Sequence, residues 1–245
     1  MSDVLVLCYH ALSPTWEAAL SVTPASMERQ LHLLASQGWK ATTFQRAVLN
    51  PPPGRVLAIT FDDAFDSVRL RARPILDELG WPATMFVPTA FASQRQPLRW
   101  SGIDHWEATE DAGELTSMDW TDIGGLAEAG WEIAAHSRSH PSMPGLSDSD
   151  LRMELEQPRE DCFSQLGFRP DSVAYPYGDV DDRVEREAAR VGYRAGAALT
   201  HHLRITTPLR WPRVGIYHHD THLRFRLKAA TASRRLRASR LWPIQ

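Results

Sequence analysis

The chain has 245 residues, with 27 lysines and arginines against 30 aspartates and glutamates and a formal net charge of −3. That balance gives no overall electrostatic pull toward nucleic acid, and 43% hydrophobic residues are enough for a sizeable core. The length is large for one ordinary domain and normal for an α/β barrel. Cys8 and Cys162 lie far apart without a CxxC pattern. They read as free buried thiols, which suits a reducing compartment. Residues 1–3 lack a basic region and 4–8 are too short for the apolar part of a signal peptide. No apolar run approaches the length of a membrane span. The expected location is the cytoplasm.

Residues 4–9 form a compact apolar strand that ends at His10. On a two-residue period His10 shares a face with Val4, Val6 and Cys8. By position alone, a histidine there is more often a satisfied core residue than a catalyst. Thr23-Pro24 opens a helix, with threonine as cap and proline at the first helical position. Met27, Leu31, Leu34 and Ala35 repeat at helical spacing, and Gly38 ends the helix. His32 lies beside that stripe and reads as structural.

After Pro51, Pro52, Pro53 and Gly54, residues 56–61 read as a buried strand. Asp62 and Asp63 stand at its C-terminal end. Side chains alternate along a strand, so the two carboxylates are expected to diverge, one toward a cation and the other toward substrate or water. Like charges this close stay ionised together only beside a metal or hydrogen-bond donors. The structural alternative is a helix start, with Asp66 or Ser67 capping a helix over 68–79. That accounts for Asp66 or Ser67 but not for Asp62 and Asp63. Pro74 implies a kink in that helix or a later start.

Residues 83–87 form another strand, closed by Pro88. The stretch 89–117 has no clear period and is longer than most connections. It holds Trp100, His105 and Trp106. Long loops on a rigid scaffold shape substrate pockets; each ring there either packs the loop down or stacks on a sugar face. A helix runs from Trp120 to Gly130, and a strand over 131–135 delivers His136-Ser137-Arg138-Ser139-His140. Ser147-Asp148 caps a helix to about Leu166, with Pro158 as a bend. A strand over 172–174 leads into Tyr175-Pro176-Tyr177-Gly178. A helix over 179–191 and strands over 193–199 and 213–217 follow. From about residue 221 the tail has no acid and carries Arg224, Arg226, Lys228, Arg234, Arg235, Arg237 and Arg240. A C-terminal helix whose cations favour its dipole competes with contact to an anionic membrane or polymer.

Strands alternating with helices argue for parallel strands joined by crossover helices. Seven or eight strand candidates favour a barrel over an open sheet, as a single domain over 1–245. In such barrels chemistry sits at the C-terminal strand ends, which is where His10, Asp62, Asp63, His136, His140 and Tyr177 fall.

A lone HxxxH is a weak signal. Two histidines plus one carboxylate on strand ends form a stronger one, because this donor set leaves positions open on a cation. The cation would polarise a carbonyl and acidify water. The second aspartate is then free to accept a proton, and His10 to give one to a leaving amine. A backbone N–H in the rigid Tyr175–Gly178 turn could meet a developing oxyanion. Together these parts spell amide hydrolysis.

Thr60-Phe61-Asp62-Asp63, the 136–140 motif and Tyr175-Pro176-Tyr177-Gly178 resemble the successive motifs of the polysaccharide deacetylases with a NodB-homology domain, carbohydrate esterase family 4. The order and spacing match over roughly residues 4–217. The resemblance implies a distorted (β/α)7 barrel and one divalent metal ion, zinc first, with cobalt, manganese or nickel as alternatives. It implies Asp63, His136 and His140 as metal ligands, Asp62 as general base, and the Tyr177 amide in the oxyanion hole. It groups Tyr175 and Pro176 with substrate binding or orientation of the base. Leu7-Cys8-Tyr9-His10 is similar to the exopolysaccharide-deacetylating branch, in which the acid histidine arrives on the first strand; His10 is the expected acid. Ala64 replaces the usual glycine after the aspartate pair, which asks for a negative φ there. Ala174 stands where an arginine often holds the base, and Arg213 looks like the substitute. His218, His219 and His222 are rivals to His10, with a surface role as the plainer reading.

The expected activity is removal of N-acetyl groups from an amino-sugar glycan. Two readings compete with it: hydrolysis of a small cyclic amide or ureide at the same site, and a silent glycan-binding module. No nucleic-acid partner and no transmembrane segment are expected.

Overall fold

The computed structural model describes residues 2–199 and 207–233. The strands are β1 (Asp3–Tyr9), β2 (Ala11–Leu12), β3 (Ser21–Val22), β4 (Lys40–Thr42), β5 (Arg55–Phe61), β6 (Thr84–Val87), β7 (Glu132–Ala135), β8 (Ser172–Ala174), β9 (Ala195–Ala198), β10 (Trp211–Pro212) and β11 (Val214–Gly215). The helices are α1 (Pro24–Ser36), α2 (Phe44–Leu49), α3 (Arg73–Leu79), α4 (Trp120–Glu128), α5 (Asp148–Leu166), α6 (Asp182–Val191) and α7 (His222–Ala229).

Parallel pairing runs β9-β8-β7-β6-β5-β1, with β4 as an extra strand on β5. β10 pairs with β9, β11 pairs with β1, and only Arg213 separates them. The Arg213 amide donates to Ala198 O at 3.0 Å and the Ile216 amide to Cys8 O at 2.9 Å. One short strip therefore touches both edges and nearly closes the ring, giving the expected distorted (β/α)7 barrel. The strip can press onto β9 because Gly196 has no side chain: a Cβ there would lie 2.2 Å from Leu209 O.

Alternation along the strands sorts the core. Val6, Ala58, Phe86, Ala134, Ala174, Ala195 and Ala197 share one buried cluster with Phe44 of α2. The alanines among these inward residues suit a narrow ring. The alternate set, including Leu5, Leu7, Leu57, Ile59 and Phe61, packs outward against the helices. At the N-terminal end, α2 is seated by Thr84 Oγ1, which accepts from the Phe44 amide at 2.8 Å, and by Glu132, which accepts from the Gln45 amide at 2.9 Å. The opposite end is left to the loops that carry the polar motifs.

Several local expectations change. The 68–79 segment is a π-helical turn, Val68–Ala72, followed by α3, with Pro74 in the first turn where its missing N–H costs little. Neither Asp66 nor Ser67 caps it. Ser67 Oγ accepts from the Leu12 amide at 3.1 Å, and Asp66 is held by Arg69 at 2.8 Å and Arg95 at 3.1 Å. Both side chains have stronger partners than the helix end. Helix α6 starts at Asp182, where the Asp181 carboxylate caps the Val184 amide at 2.8 Å. The strand expected over 213–217 shortens to β11, and β10 forms before Arg213 where none was expected. Arg234, Arg235, Arg237 and Arg240 lie outside the described residues. No helix among the described residues is long and apolar enough to cross a membrane.

Candidate active site

Strand β5 carries Ala58 and Thr60 inward, and Asp62 continues that face. Asp63 does not follow the regular strand geometry that alternation assumes. The strand ends at Phe61, and Asp63 adopts φ 72° followed by Ala64 at φ 56°. This swings Asp63 back, so that its Oδ1 lies 3.3 Å from His136 Nε2 while Asp62 Oδ2 lies 3.9 Å from the same nitrogen. The expectation of a negative φ at Ala64 is corrected too. A left-handed alanine costs about 1–2 kcal/mol, and strain of this kind collects at functional sites. Ala64 is buried, and its carbonyl accepts from the Met118 amide at 2.8 Å, which holds the conformation in place.

His136 leaves the end of β7, and its Nδ1 donates to Ala174 O at 2.9 Å. That bond fixes the tautomer and leaves the Nε2 lone pair facing Asp63. The chain then passes through Ser137 at φ 59° and reaches His140 at φ 65°. Ser137 Oγ accepts from the His140 amide at 2.9 Å, and His140 Nε2 ends 3.4 Å from Asp63 Oδ1. The ligating atoms of Asp63, His136 and His140 all lie within 4.8 Å of one another. Asp63 Oδ1 is buried without a hydrogen-bond partner, although two imidazole nitrogens face it. Lone pairs converging on a buried carboxylate oxygen are what a divalent cation satisfies, so the residues fit one. Burial pushes His140 below its ordinary pKa, which keeps its ring neutral and its lone pair available at pH 7.

Asp62 is gripped separately. Arg213 Nη1 and Nη2 donate to its two oxygens at 2.6 and 2.7 Å, and Nη1 also reaches Thr60 Oγ1 at 3.1 Å. Burial would raise this carboxyl, but the guanidinium overrides it and lowers the group to about 2. The Cys8 thiol donates to Asp62 Oδ2 at 3.5 Å. His10, half-buried at the end of β1, brings a ring nitrogen within 4.8 Å of Cys8 Sγ and an Asp62 oxygen. The Tyr217 ring stacks over it at 6.3 Å. Neither ligating cluster includes His218, His219 or His222.

The turn after β8 divides its residues. Tyr175 is buried away from the mouth and its hydroxyl donates to Leu209 O at 2.8 Å. It anchors the 208–210 turn rather than touching Asp62 or the mouth, which corrects its grouping with base-orienting residues. Pro176 is buried and opens the turn. Tyr177 adopts φ 60°, and its ring meets His140 edge-on at 4.8 Å. Sequence reasoning missed Trp100 as a neighbour of the site: from the aperiodic 89–117 stretch its ring stacks on His140 at 4.0 Å and 21°. A tryptophan in that stretch was visible, but nothing in the pattern said which ring reaches the mouth.

The α/β barrel sets a carboxylate and two imidazoles beside a separately held acid. The chain belongs to the polysaccharide deacetylase family, whose model matches residues 49–196. Members of that family are metal-dependent hydrolases of non-peptide carbon–nitrogen bonds. The chain is 22% identical to the Bacillus subtilis polysaccharide deacetylase-type protein YxkH over 196 residues, covering 78% of this chain and 62% of the other. The chain spans less than two thirds of the length of the curated relatives it matches. The Streptococcus pyogenes deacetylase PplD in complex with acetate superposes with a TM-score of 0.75 at 22% identity, covering 93% of this chain and 98% of that one. IcaB from Ammonifex degensii superposes with a TM-score of 0.72 at 22% identity, covering 94% and 97%. Both likenesses extend the shared barrel to nearly the whole chain.

Proposed function

We propose that the protein removes N-acetyl groups from an amino-sugar glycan or glycan intermediate, with Asp63, His136 and His140 holding one divalent cation. The observation that carries this reading is the division of labour between adjacent acids. Asp63 Oδ1 faces two imidazole nitrogens, while Asp62 is tied to Arg213. The two-histidine, one-carboxylate donor set suits zinc first and cobalt, manganese or nickel next.

A cation held there would polarise the amide carbonyl and lower the pKa of water. Asp62 takes the proton from the attacking water; Arg213 keeps it ionised and aimed. The Tyr177 amide, turned by its positive φ, donates to the developing oxyanion. His10, whose ring nitrogen lies within 4.8 Å of an Asp62 oxygen, gives a proton to the departing amine. Trp100 and Tyr177 flank His140 and limit water at that side.

The test is acetate release from a panel of N-acetylated glycans, with zinc, cobalt, manganese or nickel added to chelated protein. Release from one or more glycans is expected. Hydrolysis of a small cyclic imide without acetate release would replace the substrate class. Glycan binding without turnover under every metal would replace the enzyme reading.

A further inference from the structure

We propose that Glu154 is a positioning residue for the cation centre, its carboxylate holding the 136–140 loop in the shape that brings the two imidazoles together. The proposal rests on the reading of Asp63, His136 and His140 as cation ligands.

Glu154 is out of pattern on its helix. Leu151, Leu155, Pro158 and Cys162 make the buried stripe of α5, and Glu154 sits among them, 4% exposed. A carboxylate on an apolar face is costly unless its oxygens are satisfied. Here they are satisfied by the ligand loop. Oε2 accepts from the Arg138 amide at 2.9 Å and the Ser139 amide at 2.8 Å, and Oε1 accepts from Ser139 Oγ at 2.6 Å. Bonds of this kind to an ionised acceptor are among the stronger ones, and two successive backbone amides on one oxygen make an anion nest.

The loop needs such a hold. Ser137 and His140, on either side of the two amides, both have positive φ without being glycine. The Ala90 amide donates to Arg138 O at 2.8 Å and the Thr89 amide to Ser137 O at 3.3 Å. Those bonds fix the outer edge of the loop, and Glu154 fixes the inner edge. Without it the two amides would turn to water, which imposes no direction on the His140 backbone. Glu154 touches neither imidazole, so its effect reaches the centre only through the loop.

Glu154→Leu keeps the apolar stripe and removes every acceptor, while Glu154→Gln keeps an acceptor oxygen for the two amides. Each variant is checked by thermal unfolding, stripped with chelator and titrated with cobalt(II) against a competing chelator. Hydrogen exchange at the Arg138 and Ser139 amides is followed in the metal-free protein. Glu154→Leu is expected to weaken cobalt affinity by about 10–100-fold, the usual effect of removing a group that orients a ligand, and to speed exchange at both amides. Glu154→Gln is expected to stay close to the parent in both. A folded Glu154→Leu protein with parental affinity and exchange would overturn the proposal. So would rapid exchange of the two amides in the unsubstituted metal-free protein, a result that needs no variant. If the unsubstituted protein binds no cobalt, the cation reading fails, while the exchange data still judge the hold of Glu154 on the loop.

Discussion

Arg213 and Asp62, 151 residues apart in sequence, meet through two parallel hydrogen bonds of 2.6 and 2.7 Å. The pair is buried, and the same guanidinium lies 5.3 Å over the Phe86 ring. A planar fork matches both carboxylate oxygens at once, which an ammonium cannot do. Arg213→Lys is therefore expected to lower kcat by about 10²-fold with the cation content unchanged. Arg213→Ala is expected also to cost about 3–5 kcal/mol of stability, since it leaves a buried carboxylate unpaired. Steady-state kinetics and urea unfolding read the two effects; near-parental kcat in Arg213→Lys would remove Arg213 from the orientation of Asp62.

The adjacent acids separate on substitution. Asp63→Ala is expected to abolish stoichiometric cation binding, while Asp62→Asn keeps the cation and loses turnover by about 10²-fold or more. Elemental analysis of dialysed protein alongside acetate release distinguishes them. Retained turnover in Asp62→Asn would move the base elsewhere.

Acid stability follows from the same pair. Asp62 titrates at about 2 instead of its ordinary 3.8, so its folded pKa is depressed. The stabilisation is fully present above pH 3.8 and is lost as pH falls through about 2. A shift of that size corresponds to roughly 2 kcal/mol. Urea midpoints of chelated protein at pH 5 and pH 2.5 are expected to differ less in Asp62→Asn than in the parent, and an equal drop in both would refute the linkage.

His10→Ala is expected to slow deacetylation without changing cation content. An unchanged rate would pass the acid role to another group.

Both thiols should be silent in the native protein. Burial raises Cys8 well above its ordinary value and Cys162 to about 12, so little thiolate exists at pH 8. A thiol reagent is expected to find almost no reactive cysteine in native protein and both after denaturation. Rapid native labelling would show that the barrel mouth opens to solvent.

The pattern of strands was legible because it is local. Apolar runs with polar residues at their C-terminal ends announced β1, β5 and β7, and with them His10, Asp62 and the HxxxH pair. The rest is tertiary. No composition signal marks a left-handed Asp63 or Ala64, so alternation alone did not show how the two neighbouring acids reach their separate partners. Neither the extra strand β10 before Arg213 nor the stack of Trp100 on His140 has a period to read. The outward burial of Tyr175 depends on where residues 207–212 fold back. Glu154 did leave a trace, an acid on an apolar helical stripe, but its partner was not visible from the helix alone.

Arg213 is also the single residue between β10 and β11, the two short strands that join the sheet's edges. The latch of the barrel and the clamp on its acid are thus one side chain and its own backbone. Loosening that seam by heat or denaturant would release Asp62 from its guanidinium while the helices and the remaining strands still stand, so loss of turnover is expected to run ahead of loss of helical signal.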